Sequence, residues 1–363
     1  MSSASGSLPC VALITGWFGS EHPLHDGAKM AISTIFEQSW PDPAGGSIDA
    51  RSAAILLQEA RETFAAHLGA RADEIHFLGE PTLGFHLGIS GLLSPETRLV
   101  HSAIDKKEIF AVANSIADCV MAPVSENGVI AFPEISNQDL LVLQLMNGET
   151  GVINTAPELN GAQLFVDATT SGVRIPLPEK WSTALWDSRS WYGPAGLGVF
   201  AVRTGSLWRN PLPHNDNRVV PEGAALSLIV ASALAIDSWV ADQKNVALKI
   251  SEINARIRGF IAENIAEVDF ASESQFGSPH LLSFSFLYVE AEELVRRMRG
   301  RGFEINSGSA CISANMEPSH VLAAMGRLTH GNVRLTIHHE ITPEEVDGLL
   351  LALVDCVAEL RGN

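Results

Sequence analysis

Short apolar segments alternate with helical segments through the first two hundred residues, and this pattern most limits the folds open to the chain. Six segments have the length and apolar character of strands in a buried sheet: 75–78, 98–101, 118–121, 140–146, 164–167 and 199–203. Strands that are separated by helices usually lie parallel to one another, with the helices packed on the faces of the sheet. The sequence therefore predicts an α/β fold with a mostly parallel sheet.

One amphipathic helix is predicted with both of its ends. In segment 47–68 the apolar residues Leu57, Ala60, Phe64 and Leu68 recur at spacings of three and four residues, which place them on one helix face. Gly69 follows as a natural stop, because glycine adopts the left-handed conformation that ends many helices.

The last hundred residues have a different pattern. A long helix is predicted from Pro221 to about Ile265, and segment 281–287 alternates like a strand with one open face. A closing helix begins at Thr342, which forms a capping box with Glu345. We predict a second, α+β domain that combines residues 1–25 with 246–363, beside a large domain of residues 26–245.

Composition excludes several classes of function. The net charge of −18 argues against a nucleic-acid-binding surface, which needs clustered Lys and Arg. No run of 18 apolar residues is present, and the N-terminal segment lacks the basic and apolar regions of a signal peptide. The four cysteines form no CxxC pair and no zinc pattern. These features predict a cytoplasmic protein with reduced cysteines, no metal site and no membrane contact.

Three local strings carry candidate chemistry. They are VDATTS at 166–171, SWYGPAGLG at 190–198 and NSGSACIS at 306–313. An aspartate that ends a buried strand lies where α/β sheets bind ligands, and a cysteine in a small polar loop is a candidate nucleophile. Each string taken alone also has an ordinary interpretation: a loop-capping aspartate, a plain turn and an inert cysteine.

Taken together, these strings resemble the cysteine desulfurases, which are relatives of the class V aminotransferases. The resemblance covers nearly the whole chain and includes four further strings: NGETG at 147–151, EPSHVL at 317–322, VRLT at 333–336 and TPEEVD at 342–347. It implies the fold-type-I architecture, with a large domain built on a sheet of the seven-stranded type and a small α+β domain. It also implies a homodimer and pyridoxal phosphate as the cofactor.

The resemblance assigns roles to five residues. Asp167 would hold the pyridine nitrogen of the cofactor, His101 would stack on its ring, and Thr82 would bind its phosphate. Arg334 would bind the substrate carboxylate. Cys311 matches the loop cysteine that attacks the substrate sulfur to form a persulfide.

The cofactor-binding string itself departs from the family pattern. Ser190 stands where the family has the lysine that forms the Schiff base, and serine cannot form an imine. Arg189 replaces the neighbouring histidine, and Asp187 replaces a serine that binds the cofactor phosphate. In the phosphate loop, Glu80 adds a second negative charge and Pro81 removes a backbone donor. A carboxylate beside a phosphate is repulsive.

Further departures lie near the ring of the cofactor and beyond His101. Thr170 and Gly148 replace a glutamine and an asparagine of the family pattern. Lys106 and Lys107 follow a few residues after His101. Because they continue into a polar helix start, we do not expect either amine to reach the cofactor position.

These observations predict a cysteine-desulfurase-like protein with a degenerate pyridoxal phosphate site, or none, and without ordinary desulfurase activity. Such a pseudoenzyme would act through partners, for example a sulfur-accepting or iron–sulfur assembly protein, or as a sulfur relay at Cys311. Three alternatives stay open. The first is an active desulfurase that holds the cofactor noncovalently. The second is an enzyme for another ligand, with Arg189 as an anion clamp. The third is another pyridoxal enzyme, such as a lyase or an aminotransferase.

Overall fold

The computed structural model describes residues 15–19, 24–37, 42–214, 219–220, 225–307 and 318–362. Within these ranges the helices are α1 Asp26–Phe36, α2 Ile48–Leu68, α3 Pro81–Ser90, α4 Lys107–Ala113, α5 Leu226–Asn264, α6 Ala291–Gly300, α7 His320–Ala324 and α8 Pro343–Arg361. The strands are β1 Gly16–Trp17, β2 Ile75–Leu78, β3 Arg98–Ser102, β4 Cys119–Ala122, β5 Asp139–Gln144, β6 Gln163–Asp167, β7 Thr183–Asp187, β8 Gly198–Val202, β9 Val268–Phe270, β10 Leu281–Phe286, β11 Phe303–Glu304 and β12 Asn332–Thr336.

A seven-stranded sheet forms the centre of the molecule, in the order β2-β8-β7-β6-β5-β3-β4. The pairs β3–β4, β3–β5, β5–β6 and β6–β7 are parallel, whereas β8 runs antiparallel to both β2 and β7. The predicted α/β class with a mostly parallel sheet is confirmed. Strand β7 was not among the predicted strands, because only its three central residues are apolar and so short a run does not stand out as a buried strand.

The C-terminal part contains a second, smaller sheet. Strands β12, β10 and β9 pair antiparallel in that order, and the N-terminal strand β1 pairs with β11 in parallel. Helices α6 and α8 pack against this region. Mixed helices and antiparallel strands are the predicted α+β arrangement.

The strand β10 lacks the open face that its alternation predicted. All six of its residues are buried. The serines that suggest a solvent face, Ser283 and Ser285, instead accept hydrogen bonds from Nδ2 of Asn332 on β12, at 3.1 and 3.2 Å. The prediction was wrong because a buried amide on the neighbouring strand satisfies these hydroxyl groups.

Predicted helix ends are confirmed where a capping residue marked them. Ser47 accepts a hydrogen bond from the backbone N–H of Ala50 and begins α2, and Gly69 ends it with a φ of +70°. Thr342 and Glu345 exchange both hydrogen bonds of a capping box at the start of α8.

Two sets of buried apolar side chains lie in different parts of the chain. Both faces of the large sheet pack against residues drawn from Ala28 to Trp239. A separate cluster contains Phe18 together with residues from Val246 to Val357. The division of the chain into domains at residue 245 stays a prediction.

Helix α5 passes from the first region to the second. It is long and apolar enough, by length and composition, to cross a membrane. Half of its most apolar 18-residue window is buried inside the protein, however, and the helix packs against α1 and α2. That burial is typical of a core helix.

Candidate functional site

The carboxyl ends of β2, β6 and β7 meet the start of β8 at one edge of the large sheet. Strand register places the end of β6 beside β7, and Gly198 at the start of β8 lies between Asp187 of β7 and Leu78 of β2. A cleft of about 620 Å³ opens at this edge. It is lined by Gly19, Leu24, Lys106, Gly148, Thr169, Thr170, Asp187, Arg189, Ser190, Tyr192, Gly193, Pro194, Ala195, Leu281, Asn306, Arg334 and Thr336. Ligands bind at this edge in α/β sheets.

Asp167 ends strand β6 and is almost completely buried, with 1% of its surface exposed. Its Oδ1 accepts hydrogen bonds from the backbone N–H and the hydroxyl of Thr169, at 2.9 and 2.5 Å. Its Oδ2 has no hydrogen-bond partner among the described residues. The nearest cation is the amine of Lys106, whose Nζ lies 3.8 Å from Oδ2.

Lys106 reaches the cleft, contrary to the expectation from the sequence. It is the N-cap residue of α4, so the predicted helix start is in place. Its side chain nevertheless passes over the ring of Phe85, with Nζ 5.5 Å from the ring centre, and donates a hydrogen bond to the hydroxyl of Thr169. The expectation was wrong because helix pattern does not fix the direction of an N-cap side chain, which here follows the packing of α3.

His101 and Asp105 form a buried polar pair next to this amine. Nδ1 of His101 lies 3.8 Å from Oδ2 of Asp105, and that oxygen also accepts a hydrogen bond of 2.6 Å from the backbone N–H of Ser102. Burial lowers the pKa of His101 and therefore favours the neutral imidazole. Burial also raises the pKa of Asp105 well above its usual range; the Ser102 N–H and Lys106 oppose this, while Asp167 adds to it.

Ser190 lies in a 3-10 turn, residues Ser188–Trp191, that follows β7 directly. It lines the cleft but is 3% exposed. Its hydroxyl donates to the backbone oxygen of Asp187 at 2.7 Å, and its own carbonyl accepts from Nη1 of Arg174 at 2.6 Å. This position thus carries a short, fully engaged side chain without an amine.

Asp187 is paired within the chain. Its carboxylate accepts from the backbone N–H of Arg189 at 2.9 Å and from Nη2 of the same residue at 2.6 Å. The Asp187 side chain is 8% exposed, whereas that of Arg189 is 64% exposed. The negative charge of Asp187, which lies where the resemblance places the cofactor phosphate, is therefore partly compensated by Arg189.

Thr82 and Glu80 lie on the far side of Gly198, at the start of α3. Glu80 is the N-cap residue, and its Oε1 accepts from the backbone N–H and the hydroxyl of Thr82, at 3.2 and 3.1 Å. Both donors belong to the residue that the resemblance assigns to the cofactor phosphate. A helix N-terminus favours negative charge, and here the chain supplies that charge itself.

Arg334 lies on β12 and faces the cleft from the small sheet. Its Nη1 donates to the carbonyl of Gly148 at 2.7 Å, and its Nε is buried with no hydrogen-bond partner in the described part of the chain. Burial raises the pKa of the nearby Glu149, against the effects of Ser319 and Arg334. The arginine is therefore held at the cleft by the 147–151 loop.

The two changes near the predicted cofactor ring are matched in size. A side chain at Gly148 would place its Cβ 3.0 Å from Oγ1 of Thr170. Thr170 therefore fills the space that a larger residue at 148 would need, so the pair of departures forms one local arrangement.

Cys311 lies outside the described residues, as does the rest of segment 308–317. Both flanks of this segment are attached near the cleft. The backbone of Asn306 exchanges two hydrogen bonds with that of Arg334, at 3.1 and 2.7 Å. On the other side, Nε2 of His320 lies 2.9 Å from the carbonyl oxygen of Asp105.

Of the residues assigned by resemblance, Ser190 and Arg334 both line the cleft. Asp167 and His101 are buried, and the 105–106 segment connects both of them to the cleft. Asp105 was not among the residues predicted for the site, and Lys106 was not expected to reach it. A signal was present, because both residues lie in the turn after β3, whose end is at the ligand-binding edge.

The chain was compared with known families and structures. No family model matches the sequence. Cysteine desulfurase IscS of Dictyoglomus turgidum is 25% identical, over 95% of this chain and 94% of its own length. Cysteine desulfurase IscS of Pseudomonas aeruginosa is 26% identical, over 92% of this chain and 89% of its own length. A solved structure described as a NifS-like protein superposes with a TM-score of 0.84 at 19% identity, over 95% of this chain and 99% of its own.

These alignments extend over almost the full length of both partners, and the structural likeness shows the same fold independently. They agree with the strings from 147–151 to 342–347 that first indicated the family. In sequence and in fold, the chain is therefore a divergent relative of the cysteine desulfurases, with serine at position 190.

Proposed function

We propose that this chain is a cysteine-desulfurase-like protein without ordinary desulfurase activity, which acts through partners or as a sulfur relay at Cys311. The observation that carries the proposal is the state of residue 190. Its hydroxyl donates to the carbonyl of Asp187 and offers no amine for an imine. The resemblance to the cysteine desulfurases implies a reaction that begins from an imine between pyridoxal phosphate and a lysine at this position.

The residues of the cleft do not fit pyridoxal phosphate. The N–H and hydroxyl of Thr82 are engaged by the Glu80 carboxylate. The Asp187 carboxylate lines the same cleft, where a phosphate would meet like charge. The Asp187 carboxylate in the cleft, the engagement of Thr82 by Glu80 and the serine at position 190 together support a site that no longer binds the cofactor.

The relay proposal rests on the loop string that keeps its family form. In the transfer, the Cys311 thiolate would attack the outer sulfur of a donor persulfide, and the donor would leave as a thiolate when its S–S bond breaks. No oxidant is needed, because the sulfane sulfur moves between two thiols. On either side of segment 308–317, Asn306 pairs with Arg334 of the cleft and His320 contacts the carbonyl oxygen of Asp105.

We also propose a cytoplasmic homodimer that contacts a sulfur-accepting or iron–sulfur assembly protein. Exposed apolar side chains on α1 and α2 support a protein partner: Met30, Ile48 and Ile55 are 72%, 78% and 59% exposed. Large apolar groups at a surface favour association. A monomer in light scattering at micromolar concentration would contradict the dimer.

A sulfide-release assay tests the missing activity. The wild-type protein is incubated with cysteine, pyridoxal phosphate and a reductant, and a cysteine desulfurase serves as the positive control. We expect no sulfide above that released by free pyridoxal phosphate. Ser190→Lys should not restore full turnover, because Glu80 and Asp187 remain. Turnover at the rate of the control enzyme, in either protein, would overturn the proposal.

A persulfide-loading experiment tests the relay. We expect Cys311 to react with iodoacetamide faster than Cys119 and Cys356, because burial raises the pKa of both other thiols. Cys311→Ala should abolish loading from a persulfide donor and leave the melting temperature within a degree or two of the wild type. Reaction of Cys311 only after denaturant is added would show that the loop is structural.

The alternative proposal is an active desulfurase that holds pyridoxal phosphate noncovalently. It is favoured by the position of Arg334, which lines the cleft where the resemblance places the substrate carboxylate. A purified protein that is yellow and releases sulfide would select this alternative.

A further inference from the structure

The amine of Lys106 lies at the one buried carboxylate that the resemblance reserves for the cofactor. Its Nζ is 3.8 Å from Oδ2 of Asp167 and donates to the hydroxyl of Thr169, which in turn donates to Oδ1 of Asp167 at 2.5 Å. The lysine thus contacts this carboxylate directly and through one hydroxyl. No other Lys or Arg forms a salt bridge with Asp167 in the ranges that the structure describes.

The surroundings of Asp167 require such a cation. The residue is 1% exposed, and a buried carboxylate without a counter-charge is strongly unfavourable. A second buried carboxyl group, Asp105, lies close enough to interact with it. The neutral imidazole that burial favours at His101 adds no positive charge. Among the described residues, the Lys106 amine is the group placed to supply positive charge to Asp167.

A pyridoxal phosphate bound in the family manner would present its protonated pyridine nitrogen to Asp167. We infer that Lys106 takes the place of that nitrogen, so that the chain neutralises Asp167 from within and keeps the cofactor ring out of the cleft. The Lys106 side chain is 29% exposed and lines the cleft, so its tip and a pyridine ring would compete for one position. Lys106 is in this sense a specificity-determining residue that acts against the cofactor.

The same lysine could instead form an imine with an aldehyde, which would move the Schiff base to residue 106. The geometry points away from this, because the amine donates to the Thr169 hydroxyl and lies beside Oδ2 of Asp167. In the family arrangement, moreover, Asp167 holds the ring nitrogen and not the aldehyde carbon. The inference deepens the proposed function and rests on its cofactor-free cleft.

A double-mutant cycle without cofactor tests the pairing. The variants are Lys106→Met, Asp167→Asn and the double change, with Lys107→Met as the matched control, since Lys107 is the exposed neighbour on the same helix start. We expect Lys106→Met to lower the melting temperature by roughly 5 °C relative to the control. The double variant should recover at least half of that loss, because the unpaired carboxylate is gone.

Additive effects in the cycle would overturn the inference. If Lys106→Met does not fold, the inference requires that the double variant does fold. If neither folds, the inference is contradicted, because removal of the Asp167 carboxylate has not restored folding. Since the cycle contains no cofactor, additive effects would overturn this inference and leave the proposed function standing. Sulfide release by the wild type would overturn the proposed function and, with it, the exclusion of the cofactor by Lys106.

Binding of pyridoxal phosphate provides the second readout. Lys106→Ala removes the amine beside Asp167 and leaves this carboxylate available to the pyridine nitrogen. We therefore expect the Lys106→Ala protein to bind pyridoxal phosphate at least about tenfold more tightly than the Lys107→Ala protein. Equal affinities would contradict exclusion by Lys106. A pyridoxyl adduct on Lys106 of the wild type after borohydride reduction would also overturn the inference, since it would show an amine that is free to condense.

Discussion

The two ends of the cleft carry side chains of opposite charge. At the Asp167 end the chain provides a cation, Lys106, to a carboxylate that is 1% exposed. At the other end it provides the carboxylate of Asp187, which ends β7, and a second carboxylate, Glu80, caps α3 outside the cleft lining. A pyridinium and a phosphate carry these same charges. At each end, a side chain of the protein thus carries the charge that, by the resemblance, a bound cofactor would bring.

Burial makes the two ends energetically unequal. The removal of one member of a buried ion pair leaves an uncompensated charge and costs roughly 3–5 kcal/mol, whereas an exposed pair contributes about 0–1 kcal/mol. Asp187 is intermediate, because its carboxylate is buried but its partner Arg189 is mostly exposed. We therefore expect sensitivity to mutation to fall from the Asp167 end through Asp187 to Glu80.

The largest effect outside the Asp167 pair is expected from Arg189→Ala. The change removes the guanidinium but keeps the backbone N–H that caps Asp187. We expect the free energy of unfolding to fall by about 2 kcal/mol, since a mostly buried carboxylate loses its counter-charge. Urea titration measures this, with Arg51→Ala on the exposed face of α2 as the control. A loss no larger than that of the control would show that Asp187 does not depend on the charge of Arg189.

A smaller effect of opposite sign is expected from Asp105→Asn. The pKa of Asp105 is raised in the folded state, so the wild type is most stable below the unfolded pKa near 3.8 and loses stability as pH rises through the folded pKa. Asparagine keeps an acceptor for the Ser102 N–H and has no charge to bury. We expect the variant to be more stable by about 1 kcal/mol at high pH and to match the wild type near pH 4.

Urea titrations across this range would sharpen the picture of the Asp167 end. The charged and titratable groups next to Asp105 are His101, His320, Asp167 and Lys106. The contradicting result is that Asp105→Asn becomes more destabilising as pH rises. It would show that the carboxylate of Asp105 stabilises the fold as a partner of Lys106, so that Asp167 would no longer be the main partner of this amine.

The smallest effect is expected from Glu80→Ala. Glu80 is exposed, and its carboxylate caps α3 through two hydrogen bonds of 3.2 and 3.1 Å to Thr82. Loss of the cap should lower the free energy of unfolding by about 0.5 kcal/mol. A thermal melt beside Glu96→Ala, at another exposed position, measures the difference. A loss comparable to that of Arg189→Ala would show that the two carboxylates are equally important.

Much of the scaffold of the site could be predicted from sequence. The strand ends that carry His101 and Asp167 lie within a residue of their predicted positions. They were predictable because fully buried strands have continuous apolar sequences. Capped helices were equally clear, since Ser47 and Thr342 satisfy the first backbone donors locally.

What the sequence did not reveal depends on tertiary packing. The reach of Lys106 follows from its contact with Phe85 on another helix, and the burial of Ser283 follows from Asn332 on another strand. Neither partner is near in sequence, so no local pattern contains these contacts. The pairing of Asp187 with Arg189 is local, yet only the 3-10 turn that follows β7 brings the two side chains together.

The most direct test of the central claim is a titration of the purified wild-type protein with pyridoxal phosphate, read by absorbance and followed by addition of cysteine. If the chain supplies both cofactor charges itself and Ser190 offers no amine, the spectrum should equal the sum of protein and free cofactor at every step, and cysteine should change it only as it changes free pyridoxal phosphate. A saturable imine or bound-aldehyde band at micromolar cofactor, with a further change on addition of cysteine, would contradict the account.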